Sequence, residues 1–336
     1  MRTAGLRGDH DRAPPAAGPL TVLTERIDPR LLAAAGSLCI ALSSVFIKVS
    51  GASGSTSSFW RCLFSIPVLA VLAHWEWRRT RVRPKILFPL LGGLGLGLDF
   101  VLWGESIPRV GAGIATVLLG VQVVIVPLLA LLFLAERPGR RFLLTAPALL
   151  VGIVLSGGFL GKSAVGSDPL SGALFALAAG AGYSCYLLFI RLSSGPATQI
   201  RSLLLATLSA GAVAVVLGVP THRLDFTPGW PAFGWLVALA LVGQVVGWLL
   251  IAAGLPRMSS ATGSVLMLLQ PIGAVVYGIV LLGEEPTALQ LAGCAVVVAA
   301  VCFAGRAPRV SSPGTPARPT PGSPPPVPVP RRDGTR

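Results

Sequence analysis

The sequence predicts an all-α integral membrane protein with ten transmembrane helices arranged as two inverted five-helix repeats. Three observations lead there. Hydrophobic residues make up 53% of the 336 residues and charged ones only 12%, with a mean hydropathy of +0.76; soluble domains carry roughly 25% charge. One long apolar stretch occurs twice. Lys and Arg concentrate in alternate loops.

The apolar windows 110–135 and 258–283 contain no charged residue and exceed the ~20 residues that cross a bilayer as helix. Backbone exposed to lipid must satisfy its own hydrogen bonds, which leaves helices or closed barrels. Uninterrupted runs of this length lack the alternation of a barrel strand, so the spans are helical.

The duplicated stretch runs from Pro108 to Pro138 and returns without a gap 148 residues later, ending at Pro286. Matched Val and Leu carry little information in so apolar a chain. The informative matches are Pro108/Pro256, Arg109/Arg257, Gln122/Gln270, Glu136/Glu284 and Pro138/Pro286. A repeat on this scale sets the architecture before any local reading does. It extends to the start of each half: Phe46-Ile47-Lys48-Val49-Ser50 is echoed by Phe189-Ile190-Arg191-Leu192-Ser193, and Arg61 by Arg201.

Taken in order, residues 1–30 read as a polar, disordered cytoplasmic tail without the apolar core of a signal peptide. Spans are expected at 31–50, 57–74, 86–106, 110–135 and 142–160, which form the first repeat (31–160). The second repeat (169–305) holds spans at 169–190, 201–219, 233–254, 258–283 and 287–305. The Pro/Arg-rich segment 306–336, with its PGSPPPVPVP run, reads as an extended or disordered cytoplasmic tail.

Orientation follows from the basic residues of short loops. With the N-terminus inside, the inner segments hold thirteen Lys/Arg, clustered at Arg78–Lys85 and Arg137–Arg141. The outer loops hold three, Arg109, Lys162 and Arg223. Both termini are therefore expected in the cytoplasm, with the chain multi-pass in the plasma membrane. Five spans per repeat is an odd number, so the halves sit upside down relative to each other, as in many secondary transporters. The net charge of +14 is spread over these loops and the tails rather than gathered on one face, which argues against nucleic acid as a partner. Sparse Lys and abundant Arg, Ala, Gly and Pro fit a GC-rich bacterial genome.

On these residues the chain resembles an EamA-type member of the drug/metabolite transporter superfamily. The resemblance covers roughly 31–305. It rests on Ser43–Lys48 (SSVFIK), the early Arg61 of the second span, the inverted duplication, and the run from Ser259 through Gln270-Pro271 to Gly283-Glu284. In the first half Gln122 is followed by Val123, and the proline comes later, at Pro127. The family implies secondary transport, by export or uptake, of small metabolites, amino acids or drugs.

Ionisable residues inside spans are costly and mark candidate function. At ~1.5 Å rise per residue, Lys48, Arg61, Asp99 and Glu105 all fall in the outer half of the first repeat, where they are expected to form one paired network. Snorkelling to headgroups is the competing reading of Lys48 and Arg61, but Asp99 is too short to reach water. It is a candidate for a salt bridge, for a substrate contact, or for carrying a coupling proton. Trp103, one turn from Asp99, and Tyr183 are candidate substrate contacts, against packing. Gln122, Gln244 and Gln270 read first as interhelical hydrogen-bonding groups. Gln270 is set apart by Pro271, which removes a backbone donor, so helix breaks are expected at Pro271 and Pro127. Gly93xxxGly97 and Gly243xxxGly247 match close helix packing.

Catalytic readings find no support. His10, His74 and His222 have no metal-ligand spacing, and none of the five cysteines forms a CxxC pair. Gly161-Lys162-Ser163 mimics the end of a P-loop, but Ser156 stands where the motif needs glycine. The expected function is secondary export of a small organic metabolite, amino acid or drug by alternating access, with no enzyme activity and no cofactor. The alternative is a membrane scaffold or accessory subunit without a transport cycle. The expected partners are a small-molecule substrate and the lipid bilayer.

Overall fold

The computed structural model describes residues 27–82, 85–136, 140–157, 167–193, 198–258 and 260–305, which are helical apart from turns and loops. Residues 1–26 and 306–336, Arg137-Pro138 and the Gly161–Ser163 stretch lie outside the described residues, while Pro29 and Arg30, expected in the N-terminal tail, already belong to the first helix.

Helix α1, Pro29–Ser50, opens with Asp28 accepting the Arg30 amide at 2.8 Å and Pro29 in the first turn, where a missing N–H costs nothing. It stops at Gly51, whose φ of 64° suits glycine. Helix α2, Gly54–Thr80, starts from the Ser53 hydroxyl, which accepts the Thr56 amide at 3.1 Å, and runs unbroken through Pro67. Helix α3, Leu87–Val110, passes at Gly111, φ 94°, straight into α4. Helix α4 consists of α4a, Ala112–Leu118, a 3₁₀ turn at Leu119–Val121, and α4b, Gln122–Leu134. Then come α5, Arg140–Ser156; α6, Pro169–Ser193; and α7, Gln199–Gly218. Helix α8, Ala232–Gly254, contains a π-helical stretch at Leu239–Val246. Helix α9 is broken into α9a, Ser260–Met267, and α9b, Leu269–Leu282, and α10 spans Ala288–Gly305.

Among the described residues, eight helices are long and apolar enough to cross a membrane: α1, α2, α3, α4, α6, α7, α8 and, over Val265–Leu282, α9. The apolar stretches of α5 and α10, Thr145–Ser156 and Ala288–Phe303, are shorter. The chain is thus an all-helical membrane protein.

The breaks in α4 and α9 differ in their relation to proline. Leu268 lies three residues before Pro271, where the ring removes a hydrogen bond to the preceding turn. The break expected at Pro127 is placed instead at Leu119–Val121, and Pro127 sits inside the continuous α4b. The two interruptions nonetheless fall at the repeat spacing, since Leu268 lies 148 residues after Gly120.

Packing joins the two halves throughout. Helix α3 lies along α6 and α7, α2 along α7, α1 along α8 and α9b, α5 along α10, and α4a along α9b. The α3–α6 contact is backbone against backbone. A Cβ on Gly95 would come 2.5 Å from the Gly182 carbonyl oxygen, and one on Gly182 2.7 Å from that of Gly95. Gly93 and Gly97 seat against Ala206 and Ala210 of α7, while Gly243 and Gly247 seat against Ser43 and Ile40 of α1. The glycine pairs therefore serve close approach in both α3 and α8. This approach brings the polar side chains of α3 against neighbouring helices.

Candidate functional site

The expected single network of Lys48, Arg61, Asp99 and Glu105 does not form. These residues divide into a buried cluster near mid-bundle and two knots at one end, with a further pair of ion pairs at the other end.

The buried cluster centres on Arg61, Asp99 and Gln244, which are 4%, 5% and 1% exposed. Helix α2 carries Arg61 about 10 Å from its first residue, and α3 carries Asp99 about 9 Å deeper than Glu105. The Arg61 guanidinium lies over the Phe100 ring, 3.9 Å from its centroid, and its Nε–H donates to Gln244 Oε1 at 2.8 Å. Gln244 reaches it from the π-helical stretch of α8, a local geometry that recurs at functional sites. Helix α6 passes so close that a Cβ on Gly182 would lie 3.2 Å from the Asp99 amide. Tyr183 and Tyr186 follow on the same helix, their rings 5.6 Å apart, and Tyr186 packs with Phe100 and Cys62.

Several polar atoms in this region are buried without any hydrogen-bond partner: Asp99 Oδ1, Trp103 Nε1, Gln244 Nε2 and Ser43 Oγ. Among the described residues, Asp99 and Arg61 form no ion pair with each other or with any third group. A buried carboxylate without a contacting partner costs several kcal/mol. Its persistence is explained when something supplied from outside, a proton or a ligand group, completes it.

Lys48 lies at the end of α1, where its ammonium pairs with Glu284 at 2.5 Å. The Glu284 carboxylate also accepts the Ala112 amide at 2.8 Å, so α9b, α1 and the start of α4a are tied at one point. Glu105 forms a second knot at this end. It accepts the Gly54 amide at 2.9 Å, Arg109 at 2.9 Å and Arg223 at 2.5 Å, joining the start of α2 and the end of α3 to the loop before α8. Glu105 is thus a holding group of the rim and stands apart from Asp99. A cleft of about 460 Å³ opens here, lined by Ser50–Ser53, Thr56 and the 222–232 loop; none of the buried-cluster residues lines it.

At the opposite end Arg191 of α6 pairs with Glu136 through two bonds of 2.9 and 2.8 Å. Beside it the Arg201 Nε–H donates to Glu76 at 3.0 Å, and its terminal nitrogens reach Thr80 and the Val82 carbonyl. Gln270 sits partly buried at the break in α9, and its amide nitrogen lies 3.8 Å from Met267 Sδ.

Sequence reasoning left Gln244 as structural glue and overlooked three partners, Glu76, Arg223 and Glu284. Glu284 was visible as half of the repeat match Glu136/Glu284. Its pairing with Lys48 was not, because the two lie 236 residues apart.

The family profile of EamA-like transporters matches the chain twice, over residues 30–158 and 170–306. A threonine/homoserine exporter RhtA from Salmonella typhimurium is 31% identical over 278 residues, covering 79% of this chain and 88% of that protein. The exporter of the same name from Escherichia coli K12 is 28% identical, covering 77% and 83%. One solved crystal structure superposes with a TM-score of 0.52 at 16% identity, over 82% of this chain and 96% of that one; this shows a shared fold. The chain belongs to the EamA-like transporter family of the drug/metabolite transporter superfamily.

Proposed function

We propose that the chain is a ten-span secondary transporter that exports a small organic metabolite, amino acid or drug across a bacterial plasma membrane. In this reading two inverted halves, 31–160 and 169–305, alternate access to a site between them. Both termini are cytoplasmic and the Lys48–Glu284 end faces outward. The named activity of the relatives, export of threonine and homoserine, supports amino acids as a substrate class.

The observation that carries the reading is a pair of ion pairs related by the repeat. Lys48 and Arg191 occupy the same central position of the matching FIKVS and FIRLS segments, and Glu284 and Glu136 are the matching acids. Each bridge ties the first helix of one half to the fourth helix of the other, at opposite ends of the bundle. They are unequal. At the outer end the side chains of Lys48 and Glu284 are 30% and 6% exposed; at the inner end those of Arg191 and Glu136 are 58% and 49% exposed. That inequality fits a gate shut outside and loose inside, and exchanging the conformations of the halves would exchange which bridge is tight. Helix packing agrees, because α1–α8 and α3–α6 interchange when each helix is replaced by the one five places on. The interruptions of α4 and α9 at matched repeat positions supply the flexing points.

Arg61, Asp99, Trp103 and Tyr183 form the substrate or coupling site in this reading, with Gln270 at the α9 break. Lys48 serves the outer gate, Glu105 holds the rim, and a proton on Asp99 is the candidate coupling ion. The test is uptake and counterflow in proteoliposomes with the full-length protein, a panel of amino acids, other metabolites and drugs, and a pH gradient present or absent. Folded protein that moves none of the panel under either condition would refute transport.

A further inference from the structure

The unpartnered atoms around Arg61 and Asp99 specify more than a generic polar site. The Arg61 guanidinium spends one N–H on Gln244, and its terminal N–H groups have no partner among the described residues. Gln244 Nε2 and Trp103 Nε1 add orphan donors, while Asp99 Oδ1 is an orphan acceptor. Arg61 and Gln244 thus present donors from α2 and α8, while α3 carries the Asp99 carboxylate and, one turn on, the Trp103 indole N–H. A free metal cation would meet the arginine's repulsion and a single carboxylate oxygen in place of a ligand set. A simple anion would satisfy Arg61 but repel Asp99. A net-neutral dipolar ligand satisfies both, since its carboxylate takes the forked donors that arginine offers and its ammonium supplies the donors that Asp99 lacks.

We propose that this cluster is the recognition site for a zwitterionic α-amino acid, whose carboxylate binds Arg61 with Gln244 and whose ammonium binds Asp99. The inference rests on the transporter reading above and names the substrate chemistry of that site. Trp103, one turn from Asp99, faces the remaining part of the ligand, and its indole N–H is available to a polar side chain. The substrate's own charges replace the ion pair that the protein does not make.

The test is equilibrium binding by calorimetry on the full-length protein in detergent. L-Threonine, its methyl ester and N-acetyl-L-threonine are the probes. Wild-type protein should bind threonine more tightly than either derivative by on the order of tenfold to a hundredfold, the range for losing a hydrogen bond to a charged group. Asp99→Asn should weaken threonine by a similar factor and abolish discrimination against the N-acetyl compound, while the methyl ester stays disfavoured. Arg61→Gln should do the reverse, and Arg61→Lys should partly restore discrimination against the ester. This reciprocal pattern separates recognition from a merely structural role.

Equal wild-type binding of all three probes would overturn the proposal, and so would variants that lose both kinds of discrimination together. Asp99→Asn that keeps threonine affinity but loses accumulation driven by a pH gradient would assign Asp99 to coupling and overturn it too. A wild-type protein that binds no neutral amino acid yet exchanges other compounds in proteoliposomes would sink the zwitterion site alone. Failure to exchange anything would remove the transporter reading itself.

Discussion

Glu284→Gln tests the gate most directly. Gln keeps the length of the side chain and an oxygen for the Ala112 amide at 2.8 Å, but removes the charge that holds Lys48 at 2.5 Å. A hydrogen bond to a charged group contributes about 1.5–3 kcal/mol. Lys48 is 30% exposed, so solvent screening moves the expected loss towards about 1–2 kcal/mol. If the bridge exists only while the outer side is shut, the whole loss appears as a shift of population towards the outward-open state, by a factor of about 5–30. Ser43 reports this well, because it is fully buried beside Gly243 and out of reach in the closed state. In a background without the five native cysteines, Ser43→Cys should label from outside about 5–30 times faster when Glu284→Gln is added. The matching change at the other end, Glu136→Gln, breaks a bridge that is about half exposed, so it should alter the outside labelling rate no more than about twofold. Exchanging Lys48 and Glu284 should not restore the wild-type rate, because a lysine at 284 would face the Ala112 amide. An unchanged labelling rate in folded Glu284→Gln, or an equal rise in Glu136→Gln, would refute the gate.

The remaining predictions concern packing, the helix breaks and topology. Gly182→Ala places a Cβ 2.7 Å from the Gly95 carbonyl oxygen, so it should destabilise the protein by about 1–3 kcal/mol, seen as a lower melting temperature in detergent; an unchanged melting temperature would show that α3 and α6 separate freely. Pro271→Ala should leave expression intact and lower transport by restoring the Leu268 turn, whereas Pro127→Ala, inside the unbroken α4b, should leave the transport rate near wild type; the opposite ranking would place the flexing point at Pro127. Single cysteines should label from outside at Arg223 and from inside at Arg81 with a membrane-impermeant reagent, and labelling of both from one side would sink the ten-span topology. Asp168, between the described part of the α5–α6 connection and α6, accepts the Ser171 hydroxyl at 2.5 Å and the Ser171 amide, which holds its carboxyl below the usual range. Its contribution to stability is therefore present at neutral pH and is lost as pH falls through the acidic carboxylate range, so Asp168→Asn should flatten that limb of the melting-temperature profile.

The helical character, the apolar helices able to cross a membrane, eight among the described residues, and the twofold family match were legible in the sequence because they are written in local or periodic terms. Charge-free runs force helix in lipid, and a 148-residue self-match needs only identity at fixed spacing. Of the two prolines expected to break helices, Pro271 lies one turn after the interruption of α9, at Leu268, whereas Pro127 lies away from the interruption of α4, since a helix breaks where packing and backbone bonding together allow it. Pro127 is tolerated within a helix whose interruption lies earlier, at Leu119–Val121. The sequence also singled out Arg61 and Asp99, because an ionisable group in an apolar span is conspicuous whatever it touches, and Trp103 through its place one turn from Asp99. What it could not supply was partnership. Depth along a helix placed Lys48, Arg61, Asp99 and Glu105 at similar levels, but rotation about each helix axis and the choice of neighbouring helix are tertiary quantities. Those sent Lys48 to Glu284, Glu105 to Arg223 and Arg61 to Gln244, each from the other half of the chain, and left Asp99 as the one carboxylate of that set with an unpartnered oxygen.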